Sequence, residues 1–121
     1  VPLCSQAEYL LFAADRAQHF TELIIPHLNA GNIIISDRLA DSSVAYQGYG
    51  RGLDITMIKS VNTWVMQGIK PDLVFYVRIA PDVALQRLQT RRELTAFESQ
   101  QVFMQKVLNG FEVLYKDHKD V

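Results

Sequence analysis

The chain has 121 residues, 49% of them hydrophobic, enough for one domain with a buried core. Charged residues make up 21% and nearly cancel, to a net charge of −1, which argues against the basic surface of a nucleic-acid binder. The single cysteine, Cys4, forms no internal disulfide and fits a reducing compartment, and no apolar run reaches the roughly 18 residues of a membrane span. No secretory leader pattern is present either. A soluble, cytoplasmic protein is expected.

In chain order, Ser5-Gln6-Ala7-Glu8 has the S-x-x-E form of a capping box and predicts a helix start. Leu10, Ala13, Ala14, Ala17, Phe20, Ile24 and Leu28 then recur at helical spacing as one buried face. Pro26 should kink or end that helix near its last turn, and Gly31 suits a left-handed stop. Asn32 to Ser36 reads as a short buried strand. Asp54 caps a second helix to about Gln67, with Ile55, Ile58, Val61 and Val65 inward and Gly68 as its stop. Leu73 to Ile79 (LVFYVRI) has the continuous apolar character of a parallel strand covered on both faces. Pro81 opens a third helix to about Leu88. After the polar, arginine-bearing stretch Gln89 to Thr95, a last helix runs from about Glu98 to Tyr115 with Phe103, Val107, Phe111 and Leu114 on one face. This alternation predicts an α/β fold, a parallel sheet flanked by helices. Two strands are too few for such a sheet, so the architecture is expected to be incomplete.

In open α/β sheets ligands gather beyond the carboxyl ends of strands, and Asp37-Arg38 stands at such an end. The arginine can clamp a phosphate while the aspartate orients it or holds a metal-bound water; the other reading is an ion pair that closes a strand. Phe12 and Arg16 lie four apart on one helix face, a ring to stack on a planar base and a guanidinium to donate to its carbonyl. A core-edge phenylalanine beside a solvated arginine is the alternative. Ser42, Ser43, Tyr46 and Gln47 can hydrogen-bond a base or sugar, or serve as a helix start with a half-buried tyrosine. Arg87, Arg91 and Arg92 form either a solvated face or a basic loop over a triphosphate. The glycines at 48, 50 and 52 match no phosphate loop, and His19, His27, His118 and Cys4 have no metal-ligand spacing.

Together, LLFAADRAQHFTELIIPHLNAGNIIISDR, the following S-S-x-A-Y-Q-G, the later G-I-K-P-D-L-V-F-Y-V and an R-x-E-L segment resemble the bacterial thymidylate kinase family along nearly the whole chain. The resemblance implies the P-loop nucleoside-monophosphate-kinase fold and magnesium-dependent transfer of phosphate from ATP to dTMP, giving dTDP. It implies that Phe12 stacks on thymine and Arg16 reaches its carbonyl edge. Arg38 would hold the dTMP phosphate, with Asp37 beside it near magnesium, acting through water. Ser42, Ser43 and Gln47 would line the pocket, and Tyr46 would pack on the deoxyribose where a 2′-hydroxyl would clash. Arg91, with Arg87 and Arg92, would belong to a lid at about 89–97 that closes over ATP. A homodimer, formed partly through the first helix, is also implied, and neither nucleic acid nor a membrane is expected as a partner.

Three departures from the family pattern stand out. Leu39 follows Asp-Arg where tyrosine or histidine is usual, and Thr95-Ala96 replace a lid Asp-Arg. No G-x-x-x-x-G-K-[ST] and no E-P-G-G occur. The expectation is therefore an internal fragment, one partial domain over 1–121, lacking the phosphate loop, a central strand between the two visible ones, and a closing strand and helix. Such a chain is expected to have no kinase activity alone and to fold marginally. The alternatives are another deoxynucleoside-monophosphate kinase, for which the small Ser43 leaves room, and a non-catalytic dTMP-binding or interaction module.

Overall fold

The computed structural model describes residues 1–89 and 97–116. Among these residues six α-helices and two π-helical segments follow one another: α1 (Ser5–His19), π1 (Phe20–Ile24), α2 (Ile25–Asn29), α3 (Ala40–Ser43), π2 (Val44–Gly50), α4 (Ile55–Val65), α5 (Pro81–Gln89) and α6 (Phe97–Tyr115). α1 packs on α4 and π2, α4 also touches α3 and π2, and α6 lies along π2 and α5. No helix among the described residues is long and apolar enough to cross a membrane.

Helix α1 starts where expected, but not by the expected device. Cys4 is the capping residue and no side chain caps the helix. The Glu8 carboxylate, assigned by the sequence to a capping box, instead accepts from Gln47 Nε2 at 3.0 Å and Arg51 Nε at 3.4 Å. The buried face is also rotated. Tyr9, Ala13, Phe20 and Ile24 are buried, whereas Leu10, Ala14 and Leu28 are exposed. The chain passes through Pro26 without ending, because the wider π1 turn lies immediately before it. The carbonyl that a proline ring would strike belongs to Glu22, inside that wide turn. The helix ends as the sequence implies. Gly31 takes φ +82°, and its N–H and that of Asn32 donate to Leu28 and His27 carbonyls, a Schellman closure.

Helix α4 keeps its predicted cap, with Met57 N–H donating to Asp54 Oδ1 at 2.9 Å. Ile58 and Val65 are buried and Ile55 and Val61 half-buried, as the spacing predicts. It stops as the sequence implies, at Gly68, which is left-handed at φ +75°; Gln67, at φ +53°, is left-handed as well, and the two N–H groups close the helix on the Thr63 and Trp64 carbonyls. α5 and α6 run as read from the sequence, with Val107 fully buried against π2. Two apolar clusters result. One gathers Tyr9, Ala13, Val44 and Ile58, the other Phe20, Ile24, Val65 and Met66.

The expected parallel sheet is absent among the described residues. Asn32 to Ser36 and Leu73 to Ile79 form no strand pairing. Each is packed on one side only. Ile34, Val74 and Tyr76 are half-buried, while Ile35 is 93% exposed and Phe75 84%. This alternation is what an extended segment shows with one face on helices and no covering layer on the other. The α/β reading thus holds for the helices and fails for the ladder, since a parallel ladder needs a neighbouring strand and neither segment has one here.

An aromatic seam joins the second extended segment to α6. Tyr76 packs on Tyr115 at 4.7 Å between ring centroids, Phe111 stacks against both, and Tyr46 meets Phe111 edge-on at 6.4 Å. The Tyr115 hydroxyl donates to Asp41 Oδ2 at 2.6 Å, and Tyr76 donates to Glu112 at 3.3 Å. Desolvation, then the Asp41 hydrogen bond, pushes the Tyr115 phenol well above its ordinary value; desolvation and Glu112 raise Tyr76. A folded-state pKa above the unfolded one gives stability that is complete below the unfolded value and is lost as pH rises beyond it. Denaturant midpoints should therefore hold steady from neutrality to about pH 9 and fall above the ordinary tyrosine value of about 10. Tyr115→Phe should flatten that alkaline fall. A midpoint that does not change across the alkaline range would contradict the seam.

Candidate functional site

The segment after Ser36 turns sharply. Arg38 has φ +68°, a left-handed conformation that costs a non-glycine residue about 1–2 kcal/mol. Ser36 Oγ donates to the Arg38 carbonyl at 2.7 Å and helps hold the turn. Strain kept at an arginine, where glycine would relax it, directs attention to the side chain. Arg38 Nε donates to Ser42 Oγ at 2.9 Å, and its guanidinium lies 4.5 Å from the centroid of the Tyr46 ring. Three residues singled out by sequence thus meet at one place. Leu39, one of the departures, is half-buried and packs with Ala40 on the second apolar cluster.

A second group forms around Arg16, one turn after Phe12 on α1. Arg16 Nη2 donates to Ser43 Oγ at 2.8 Å and Nη1 to Asn62 Oδ1 at 2.7 Å. Burial lowers the guanidinium below its ordinary value, with Tyr9 and Asp15 pulling it back up; an arginine so placed still carries its charge at neutral pH. Phe12 is 51% exposed, so its ring is available to a ligand and is not a core residue. Ser42 and Ser43 are consecutive in α3 and serve one arginine each. The two cationic groups are therefore linked by adjacent hydroxyls.

Other sequence candidates fare differently. Gln47 is buried, with its amide donating to Glu8, so its visible role is to tie π2 to α1. Asp37 is exposed beside Arg38, and no ion pair joins the two among the described residues. The strand-closing ion pair is therefore not the arrangement seen. Arg87 is exposed on α5. Arg91 and Arg92 lie outside the described residues, as does most of the proposed lid. No group of three or more His, Cys, Asp or Glu residues able to hold a metal occurs among the described residues.

Sequence reasoning missed Tyr9 and Asn62. The Tyr9 hydroxyl lies 3.1 Å from the Ile58 carbonyl and 3.0 Å from Asn62 Oδ1, two acceptors for one proton. Burial raises the Tyr9 pKa, and Arg16 opposes the shift. Asn62 Nδ2 donates to the Ala40 carbonyl at 3.2 Å. A signal existed: Asn62 follows Ile58 by four residues on the inward face of α4, where a polar residue demands partners.

The sequence model of the family described as "Thymidylate kinase" matches residues 1–121. The chain is 45% identical over 119 residues to the thymidylate kinase of Carboxydothermus hydrogenoformans, covering 98% of this chain and 59% of that protein. It is 54% identical over 83 residues to the thymidylate kinase of Halothermothrix orenii, covering 69% and 40% respectively. The crystal structure of thymidylate kinase from Ehrlichia chaffeensis superposes with a TM-score of 0.74 at 33% identity, covering 96% of this chain and 55% of that one. The chain thus spans about half the length of the relatives it matches. With every residue inside the family match and two arginine groups converging on consecutive serines, this chain belongs to the thymidylate kinase family.

Proposed function

We propose that this chain supplies the dTMP-binding and lid parts of an enzyme that phosphorylates dTMP with ATP. The observation that carries the reading is the convergence of Arg38, Ser42 and Tyr46 next to Arg16 and Ser43. Arg38 clamps the monophosphate through charge-assisted hydrogen bonds, and Tyr46, fixed by Arg38 and the aromatic seam, packs on the deoxyribose. Phe12 stacks on the thymine ring while Arg16 donates to a ring carbonyl. A phosphate oxygen of dTMP attacks the γ-phosphorus of ATP, the bond to the β-phosphate oxygen breaks, and dTDP and ADP result. Charge on the moving phosphoryl group is neutralised by arginines, which is the larger part of such catalysis. Arg91 is the proposed lid arginine, assisted by Arg87 and Arg92.

Magnesium, bound with ATP, would supply further charge neutralisation on the phosphates. A lone exposed carboxylate, Asp37, fits an ion that keeps most of its waters and phosphate ligands and touches the protein indirectly. A cytoplasmic location belongs to the same proposal. So does a homodimer: α1 and α4 enclose a groove of about 450 Å3 lined by Leu10, Ala14, Val61 and Trp64, and Trp64 is 78% exposed. None of the proposed substrate residues lines it.

Calorimetric titration of the chain with dTMP, dUMP and ribo-TMP tests the reading. Selective binding of dTMP is expected, because the 5-methyl group and the missing 2′-hydroxyl are both read. Equal affinity for all three, or none for any, would sink the proposed pocket. Steady-state production of dTDP by this same chain would show that its part extends beyond substrate binding.

A further inference from the structure

Asn62 is 4% exposed on the inward face of α4, and a buried amide there costs free energy unless it is fully bonded. Both of its polar atoms have partners, and in one sense only. Its oxygen receives Arg16 Nη1 at 2.7 Å and faces the Tyr9 hydroxyl at 3.0 Å, while its nitrogen donates to the Ala40 carbonyl at 3.2 Å. Flipping the amide would set N–H groups against Arg16 and an oxygen against a carbonyl. The Arg16 guanidinium is thereby held by acceptors on two elements, Asn62 on α4 and Ser43 on α3, through two different nitrogens. Two such contacts define the plane of a rigid fork and leave further N–H donors for a ligand.

We infer that Asn62 is a positioning residue, which fixes the plane of the Arg16 guanidinium and thereby its presentation to a pyrimidine carbonyl. The base-contacting part rests on the substrate reading proposed above; the coupling of Asn62 to Arg16 does not. An apolar residue would suit this face of α4 equally well for packing, since Ile58 and Val65 flank it on the same side. The amide is useful where an arginine side chain, rich in rotamers, must be ordered before its ligand arrives.

Two variants of the chain test this. Asn62→Asp keeps the acceptor facing Arg16 and Tyr9 but loses the donor to Ala40; Asn62→Leu loses all three contacts. The first readout is guanidinium rotation at Arg16 by nitrogen-15 NMR without ligand, with the resonance assigned by its disappearance in Arg16→Lys. Hindered rotation is expected in the parent and in Asn62→Asp, and free rotation in Asn62→Leu. The second readout compares dTMP with deoxyribose 5-phosphate, which has no base. Asn62→Leu should weaken dTMP about tenfold, the scale of a hydrogen bond to a charged group, and leave deoxyribose 5-phosphate unchanged. In an Arg16→Ala background that extra loss should vanish.

Unchanged Arg16 rotation in Asn62→Leu would overturn the inference. So would free rotation in Asn62→Asp, which decides the matter even if the leucine variant does not fold. Equal losses for both ligands would reduce Asn62 to a structural tie. If the parent fails to bind dTMP while the rotation results hold, the substrate reading fails and the Asn62–Arg16 coupling stands.

Discussion

Replacing Gly110 by alanine is expected to destabilise the fold, although alanine is the better helix former. Gly110 lies in the interior of α6, and a Cβ built there would meet the Cβ, Cγ and Cδ2 atoms of Tyr49 at 2.8 Å. The gain in helix propensity is about 1 kcal/mol. Overpacking costs about 1–3 kcal/mol, and here it sits toward the upper end. The obstructing atoms begin with Tyr49 Cβ, which cannot swing away without moving the π2 backbone. A net loss of about 1–2 kcal/mol follows, and Gly110→Val, larger and β-branched, should lose more. Thermal melts decide between the two effects, because each kcal/mol moves the midpoint by about 4 °C in a domain near this size. A higher midpoint for Gly110→Ala would mean that α6 and π2 are less closely seated than they stand here. Gly50, on the other side of the same seam, is a weaker test, since its nearest obstacle is the far edge of the Phe103 ring.

The largest functional effect is expected at Arg38, and Arg38→Gly isolates it. Glycine relaxes the φ +68° backbone, a gain of about 1–2 kcal/mol. Against that stand about 0.4–1 kcal/mol from a more flexible unfolded chain, about 0.5–1 kcal/mol from the lost contact with Tyr46 and about 0.5 kcal/mol from the exposed hydrogen bond to Ser42 Oγ. These nearly cancel, so the melting midpoint should barely move. Binding should behave differently. A charge-assisted phosphate contact is worth about 1.5–3 kcal/mol, which is about 10- to 150-fold in dTMP affinity. Unchanged stability with weakened binding would assign Arg38 to the ligand; unchanged binding would remove it from the site. Thymidine, which lacks the phosphate, is the control and should bind the parent and the variant alike.

Much of the helical framework was legible before any coordinates. The cap at Asp54, the stop at Gly31, the opening proline of α5 and the apolar face of α6 are all local signals, decided within a turn or two of chain. Where such signals misled, a distant partner had intervened. Glu8 carries the motif of a capping box, yet it bonds Gln47 and Arg51 across 39 and 43 residues of chain. Leu10 has the right spacing for the core, but Tyr9, whose hydroxyl faces Ile58 and Asn62 on α4, takes the buried place. The two strand-like segments have the composition of a buried sheet and, among the described residues, no strand beside them. Composition specifies what a segment could pair with, and pairing also needs the partner.

For the candidate site the division is similar. The chemical inventory is carried by the chain itself: two arginines, two serine hydroxyls, a phenylalanine ring and a tyrosine. Which of these meet is set by how the helices pack. Arg16 and Ser43 lie 27 residues apart and touch because α1 and α3 both sit against α4; Asn62 lies 46 residues from Arg16 and completes that contact from α4. Hydrogen bonds within a turn are set by backbone periodicity, so they can be read from spacing. A buried arginine takes whichever acceptors the packing of separate helices brings within 3 Å, and no spacing in the chain encodes that.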